Sequence, residues 1–154
     1  MSIFDEIKSQ YDVIIMSGIP GSGKSHIAKK YFGDRKYCSA DDHFVDRDGK
    51  YNFVPSEIGE AHQACMRGFI ATFVGGKANL IVDNTCIEAW EISPYIAIAE
   101  AYGVKVCVLQ VNCPEDVAAA RNTHGVPART INHMANRLAN RRLPPFWKVI
   151  TVEN

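Results

Sequence analysis

The stretch YDVIIMSGIPGSGKS, residues 11–25, decides the architecture. Its first seven residues read as a strand, because VIIM (13–16) is an unbroken apolar run rich in β-branched side chains, the pattern of a strand covered on both faces. The next eight, GIPGSGKS (18–25), fit the pattern G-x-x-x-x-G-K-[ST]. A helical stretch then runs to about residue 32. Strand, glycine turn and helix in that order make a cradle for phosphate. Gly18, Ile19, Pro20, Gly21, Ser22 and Gly23 form the turn, with glycines where the backbone must bend and come close to a ligand. Exposed N–H groups and the helix N-terminus, reaching Ser25 and His26, face the phosphate oxygens. Lys24 brings a point charge toward the β- and γ-phosphates, and the Ser25 hydroxyl is placed to hold Mg²⁺.

Outward from this stretch, strand and helix patterns alternate. KYCSA (36–40) is expected as a second, short strand, and 46–55 as a loop. Ser56 is placed to cap a helix running to about 74, with Ile58, Ala61, Cys65, Phe69 and Phe73 on its buried face. GGK (75–77) stops it. ANLIVDNT (78–85) is the third strand, 88–103 a helix with a kink expected at Pro94, and VKVCVLQV (104–111) the fourth strand. Pro114 suits the first position of the next helix, and Pro127 opens another over 126–142. In that helix Ile131, Met134 and Leu138 point inward, while His133, Arg137 and Arg141 share a different stripe. WKVITVE (147–153) is expected as a fifth, edge strand. The alternation predicts an α/β three-layer fold with a mostly parallel sheet of four or five strands, a helical lid at about 113–127, and one domain over 1–154.

Composition narrows the function classes. The chain has 154 residues, 47% of them hydrophobic, enough for one packed core. No apolar run approaches the roughly 18 residues of a membrane span. The start, MSIFDEIKSQ, lacks a secretory pattern, and the five cysteines fall in no CxxC pair. Reduced thiols in a cytoplasmic protein are therefore expected; a zinc site using them with His43 or His62 has no recognisable spacing. Net charge is zero, yet residues 117–150 carry six Lys/Arg and no acid. That asymmetry suits either a local anion site or a solvated helix face.

Acids sit at the end of two expected strands. In open α/β sheets ligands bind at the strands' C-terminal edge. Asp41 and Asp42 follow the second strand, and Asp83 closes LIVD at the end of the third. One carboxylate of the pair is positioned to accept a proton from an attacking hydroxyl, the other to serve structure. Asp83 is expected to hold Mg²⁺ like a Walker B aspartate, or to cap the loop of Asn84 and Thr85. Arg121 lies in the lid, where an arginine either neutralises the moving phosphoryl group or makes a surface ion pair. His62 lies near the apolar face of its helix. His124, in the turn THGVP, is placed to touch substrate or to order the lid.

Together, GIPGSGKS, SADDHF, GKYNF, EAH, IVDNT, AWEISPY and RNTHGVP make the chain resemble the polynucleotide-kinase-like P-loop kinases, in family order over about 12–142. The resemblance implies ATP- and Mg²⁺-dependent phosphoryl transfer to a hydroxyl, with Asp41 as general base, Lys24 and Ser25 on nucleotide and metal, and Arg121 as the lid arginine. It departs at Ala40 and Phe44, where the phage 5′-hydroxyl polynucleotide kinase carries arginines. The expected acceptor is a nucleic-acid hydroxyl, a 5′ end first, with Asp42, Thr85, His124 and Arg137 as substrate contacts. The alternatives are a hydroxymethylated base, a small-molecule hydroxyl, or a nucleotide-binding module without transfer.

Overall fold

The structure, a computed structural model, describes residues 1–76 and 78–154; Lys77, the last residue of the expected GGK helix stop, lies outside them. The strands are β1 (Val13–Ser17), β2 (Lys36–Cys38), β3 (Leu80–Asp83), β4 (Val106–Asn112) and β5 (Val149–Glu153). The helices are α1 (Ile3–Gln10), α2 (Lys24–Phe32), α3 (Ile58–Val74), α4 (Ala89–Ala101), α5 (Glu115–Arg121) and α6 (Ala128–Asn140). All strand pairs are parallel, in the order β2-β3-β1-β4-β5.

The continuous apolar run of β1 has its reason in that order. All five of its residues are buried, because β1 has a strand on each side and helices on both faces. Strand side chains alternate between faces, and the core divides accordingly. Val13 and Ile15 join Val82 and Val108 under α3 and α4, with Phe69 and Ile92. Ile14 and Met16 join Ile81 and Leu109 under α1 and α2, with Ile7 and Phe32. A third, smaller cluster packs Ile19 of the glycine turn against Ile87, Ala118 of α5 and Ile131 of α6. Met134 and Leu138 lean on that cluster as expected.

Several boundaries differ from the sequence reading. The second strand ends at Cys38, not Ala40, because the Ser39 side chain accepts from the Asp41 N–H and starts a 3₁₀ turn over Ala40–Phe44. Ser56 does not cap α3; it lies inside a 3₁₀ turn begun by Pro55, and α3 starts at Ile58, which is half exposed. Pro114 and Pro127 each stand one residue before their helices, with extended ψ. His62 is exposed, not turned into the apolar face. Helix α1 was not anticipated, although Ser2 and Asp5 form a capping box at its start. Buried Arg35 ties α1 to the sheet, donating to the carbonyls of Lys8 at 2.9 Å and Asp12 at 2.7 Å.

The five cysteines are free thiols, four of them buried. Among the described residues no helix is long and apolar enough to cross a membrane.

Phe69 is fully buried between Phe73 and Tyr95 in edge-on contacts. Phe69→Ala is expected to cost about 3–5 kcal/mol, a fall in Tm of roughly 10 °C or more, measurable by thermal unfolding. A shift under about 3 °C would mean that the face under α3 is not the close-packed layer described here.

Candidate active site

The C-terminal ends of β1, β3 and β4 are held level by the register, with Met16 beside both Asp83 and Leu109. The glycine turn leaves β1 at this edge and enters α2 at Gly23, whose φ of 96° is left-handed. A Cβ at Gly21 would run into the carbonyl oxygen of Ala118, so the turn packs directly on α5. Among the described residues no side chain caps α2. Its first N–H groups therefore point at the turn, an arrangement that suits an anion.

Lys24 is buried, and its ammonium donates to the Ile19 carbonyl at 3.1 Å. Burial pushes this group below the usual lysine range, while the charges of Asp83 and Asp41 oppose that shift. The Ser25 hydroxyl donates to Asp83 Oδ2 at 2.6 Å, and the Tyr37 phenol donates to the same oxygen. Burial and the Asp83 charge hold that phenol far above its ordinary range, so it stays a donor. A serine hydroxyl and a carboxylate in contact are hard oxygen donors of the kind Mg²⁺ takes. The buried Ser22 hydroxyl has no protein partner among the described residues. These features fit a triphosphate with its metal.

The acid pair lies on the 3₁₀ turn beside this group. Asn84, one residue beyond β3, accepts from the Ala40 N–H at 2.9 Å through its side-chain oxygen and so fixes the turn to the strand edge. Asp41 accepts from the Tyr51 phenol at 3.3 Å. Both aspartates are exposed. Asp42 sits above the ordinary carboxylate range, through partial burial first and the charge of Asp41 second. Thr85 joins through its carbonyl, which accepts from the Gly18 N–H at 2.9 Å.

The lid residues divide. Arg121 is exposed, and a long 4.0 Å contact to Cys113 Sγ does not hold it; it forms no ion pair among the described residues. Its turn is ordered by Asn122, which donates to the Val126 carbonyl at 2.6 Å and accepts from the His124 N–H at 3.2 Å. The His124 ring meets the Tyr51 ring edge-on at 4.5 Å, bringing the lid to the acid turn. Arg137 pairs with Glu88 at 3.6 Å, and among the described residues it forms no ion pair with Asp41, Asp42 or Asp83. His26 is exposed on α2, and the Ile19 side chain is turned into the lid cluster. A cleft of about 410 Å³ opens between Ile19, Asn112, Cys113 and Leu138.

One central residue shows in the sequence only as part of a helix stripe. Arg141 ends α6 and turns inward. It donates to Ser17 Oγ at 2.8 Å, to the Cys86 and Ile87 carbonyls at 3.0 Å each, and to Gln110 Oε1 at 2.7 Å. All four acceptors are neutral. The guanidinium thereby joins β1, β4 and the segment after β3 immediately behind the glycine turn. Spacing alone could not separate it from the exposed Arg142 beside it.

Comparison with known proteins gives three findings. The profile of a family described as an AAA domain matches residues 13–140. Human NEDD4-binding protein 2 is 32% identical over 130 residues, covering 79% of this chain, while the chain spans only 7% of that protein's length. Among solved structures, the Pnkp1/Rnl/Hen1 RNA repair complex superposes with a TM-score of 0.67 at 18% identity, covering 84% of this chain and 45% of that one. A gluconokinase from Sinorhizobium meliloti 1021 gives 0.61 at 13% identity, over 94% and 83%. At such identities the structures establish the fold and leave the acceptor open.

Two outcomes follow from the geometry. Arg141→Met strands the Ile87 carbonyl and the Gln110 amide oxygen, while the Cys86 carbonyl keeps the Ser17 hydroxyl; it is expected to cost about 2–3 kcal/mol and lower Tm by roughly 5–10 °C, and an unchanged Tm would remove its clamping role. For Asp42, the ionised form is the disfavoured one in the folded chain. That penalty is absent where folded and unfolded chains are both protonated, and grows as pH rises through the unfolded value toward the higher folded one. Asp42→Asn is expected to raise Tm at about pH 7 and to bring no gain near about pH 3. Equal gains at both values would place the effect outside the carboxylate.

Proposed function

The chain belongs to the P-loop family described as an AAA domain, the polynucleotide-kinase-like group its motifs resemble, and from that premise we propose that it is a kinase. It moves the γ-phosphoryl group of ATP, with Mg²⁺, to a hydroxyl on a nucleic acid, first of all a 5′ end of DNA or RNA. One observation carries the reading: Ser25 and Asp83 are in contact at 2.6 Å beside a buried Lys24 whose charge also feels Asp41. Metal donors, phosphate cation and the Asp41 carboxylate then share one edge of the sheet.

In this reading the glycine turn and Lys24 hold the β- and γ-phosphates, and the cleft by Ile19 and Asn112 takes the nucleoside. Ser25 and Asp83 hold Mg²⁺, which when bound neutralises charge on the phosphates. Asp41 accepts the proton of the acceptor hydroxyl as that oxygen bonds to the γ-phosphorus. The bond from the γ-phosphorus to the bridging oxygen breaks, and ADP leaves with the bond's electron pair. Arg121 swings in from the lid to neutralise charge on the moving group. His124, Thr85, Asp42 and Arg137 border the acceptor. The protein works as one kinase unit in the cytoplasm, where its thiols stay reduced.

A second reading has its own observation. The segment after Asp41 carries several acids: Asp42 is adjacent, Asp46 closes the next turn beside Arg47 and Lys50, and Glu57 lies 3.4 Å from His43. Such a surface repels a polyanion and admits a neutral small molecule, as would a kinase of sugars or nucleosides.

The test is a panel of acceptors with γ-labelled ATP: 5′-hydroxyl DNA, 5′-hydroxyl RNA, DNA with a hydroxymethylated base, nucleosides and gluconate. Label on the 5′-hydroxyl strands is expected, falling at least roughly tenfold between about 50 and 200 mM salt as phosphate contacts are screened. Label confined to nucleosides or gluconate, without salt dependence, would overturn the acceptor. Slow hydrolysis with every acceptor would overturn the kinase.

A further inference from the structure

Tyr51 stands between the lid and the acid turn, and its position is set by backbone rather than by chance packing. Val45 and Tyr51 pair in an antiparallel bridge. The Asp46 carboxylate closes the intervening turn, accepting from the N–H groups of Asp48 and Lys50 at 2.9 Å each. The Asn52 N–H then donates to the Phe44 carbonyl at 2.8 Å. The Tyr51 ring packs edge-on to Phe44, itself buried in the core, with centroids 6.1 Å apart. This anchoring leaves the phenol two contacts, one on each side. Its hydroxyl donates to Asp41 Oδ1 at 3.3 Å, and its ring and the His124 ring meet at right angles with centroids 4.5 Å apart.

The consequence concerns the carboxylate. Asp41 is exposed, and its main chain is fixed by the Ser39 cap. Tyr51 is its side-chain partner among the described residues, and it engages Oδ1 alone. An exposed aspartate without that bond turns freely about its side-chain torsions. With the bond, Oδ1 is occupied and Oδ2 is left to meet an incoming hydroxyl. The bond is long for O–H···O, which is how catalytic hydrogen bonds often stand before substrate is present. Partial burial first, and the Asp41 charge second, raise the phenol to about 12, so it remains a proton donor.

We propose that Tyr51 is the positioning residue for Asp41, and that His124 transmits the lid's position to it through the edge contact. This rests on the reading of Asp41 as base. Tyr51 touches neither nucleotide nor acceptor in this scheme; it acts through the carboxylate. Lid closure presses His124 against the ring and holds the phenol on Oδ1, so the base is aligned when the lid is down.

The test uses the intact chain, ATP and whichever acceptor the wild type labels. Tyr51→Phe keeps ring and backbone bridge and deletes only the hydroxyl. It is expected to lower kcat about tenfold with KM for ATP unchanged and Tm within about 2 °C of wild type. His124→Ala is expected to lower kcat in the same way. His124→Phe, which keeps an aromatic edge on Tyr51, is expected to restore it. The double variant Tyr51→Phe/His124→Ala is expected to match the worse single variant, because both changes act on one path. Full activity in Tyr51→Phe would overturn the proposal, as would additive losses in the double variant or a loss of kcat that merely follows a fall in Tm. A wild type that labels no acceptor would instead overturn the kinase reading on which it rests.

Discussion

Two opposite charges lie below the surface at one edge of the sheet without bonding to each other. Lys24 is 8% exposed and Asp83 is 4% exposed. Among the described residues neither forms an ion pair. Each settles for neutral partners, Lys24 for a carbonyl of its own turn and Asp83 for two hydroxyls. Taking an ion out of water costs several kcal/mol after relaxation, and a fold keeps such an arrangement where the charges have work to do. A magnesium triphosphate would satisfy both at once, its phosphate oxygens on the lysine and its metal on the aspartate.

The remainder of the molecule serves to keep those two groups in register. β1 lies at the centre of the sheet, so the turn that follows it is flanked by the ends of β3 and β4. Parallel pairing sets Asp83 level with Met16. Behind the turn, Arg141 fastens three neighbouring segments with four hydrogen bonds to neutral acceptors. In front, Asn84 fixes the acid turn to the end of β3. From the side, Ile19 and Gly21 join the turn to the lid helices. The same few residues therefore connect packing, sheet register and site geometry.

Much of this was legible in the sequence, for physical reasons that also explain what was not. The five strands and the helix after the glycine turn rest on strong periodic signals, and their order along the chain matched. The neighbourhood of Ser25 and Asp83 followed from a general rule about strand ends. Boundaries failed where a short polar residue chose between capping and extending: Ser39 ended a strand early, and Ser56 lost its cap to Pro55. Arg141, Asn84 and Tyr51 were invisible as site residues because their partners are 31 to 124, 44 and 10 positions away. Ala40 and Phe44, where the resemblance breaks, are both buried in the core beneath the acid turn. Their apolar character suits that burial.

The central claim is that the Asp41 carboxylate faces the phosphates held by Lys24 and takes the acceptor's proton. Single-turnover transfer from γ-labelled ATP by Asp41→Asn, run beside calorimetric titration of ATP, tests it most directly. A loss of about 10²–10⁴ in the transfer rate with ATP affinity unchanged is predicted. Transfer at the wild-type rate, or a loss accounted for wholly by weaker ATP binding, would contradict it.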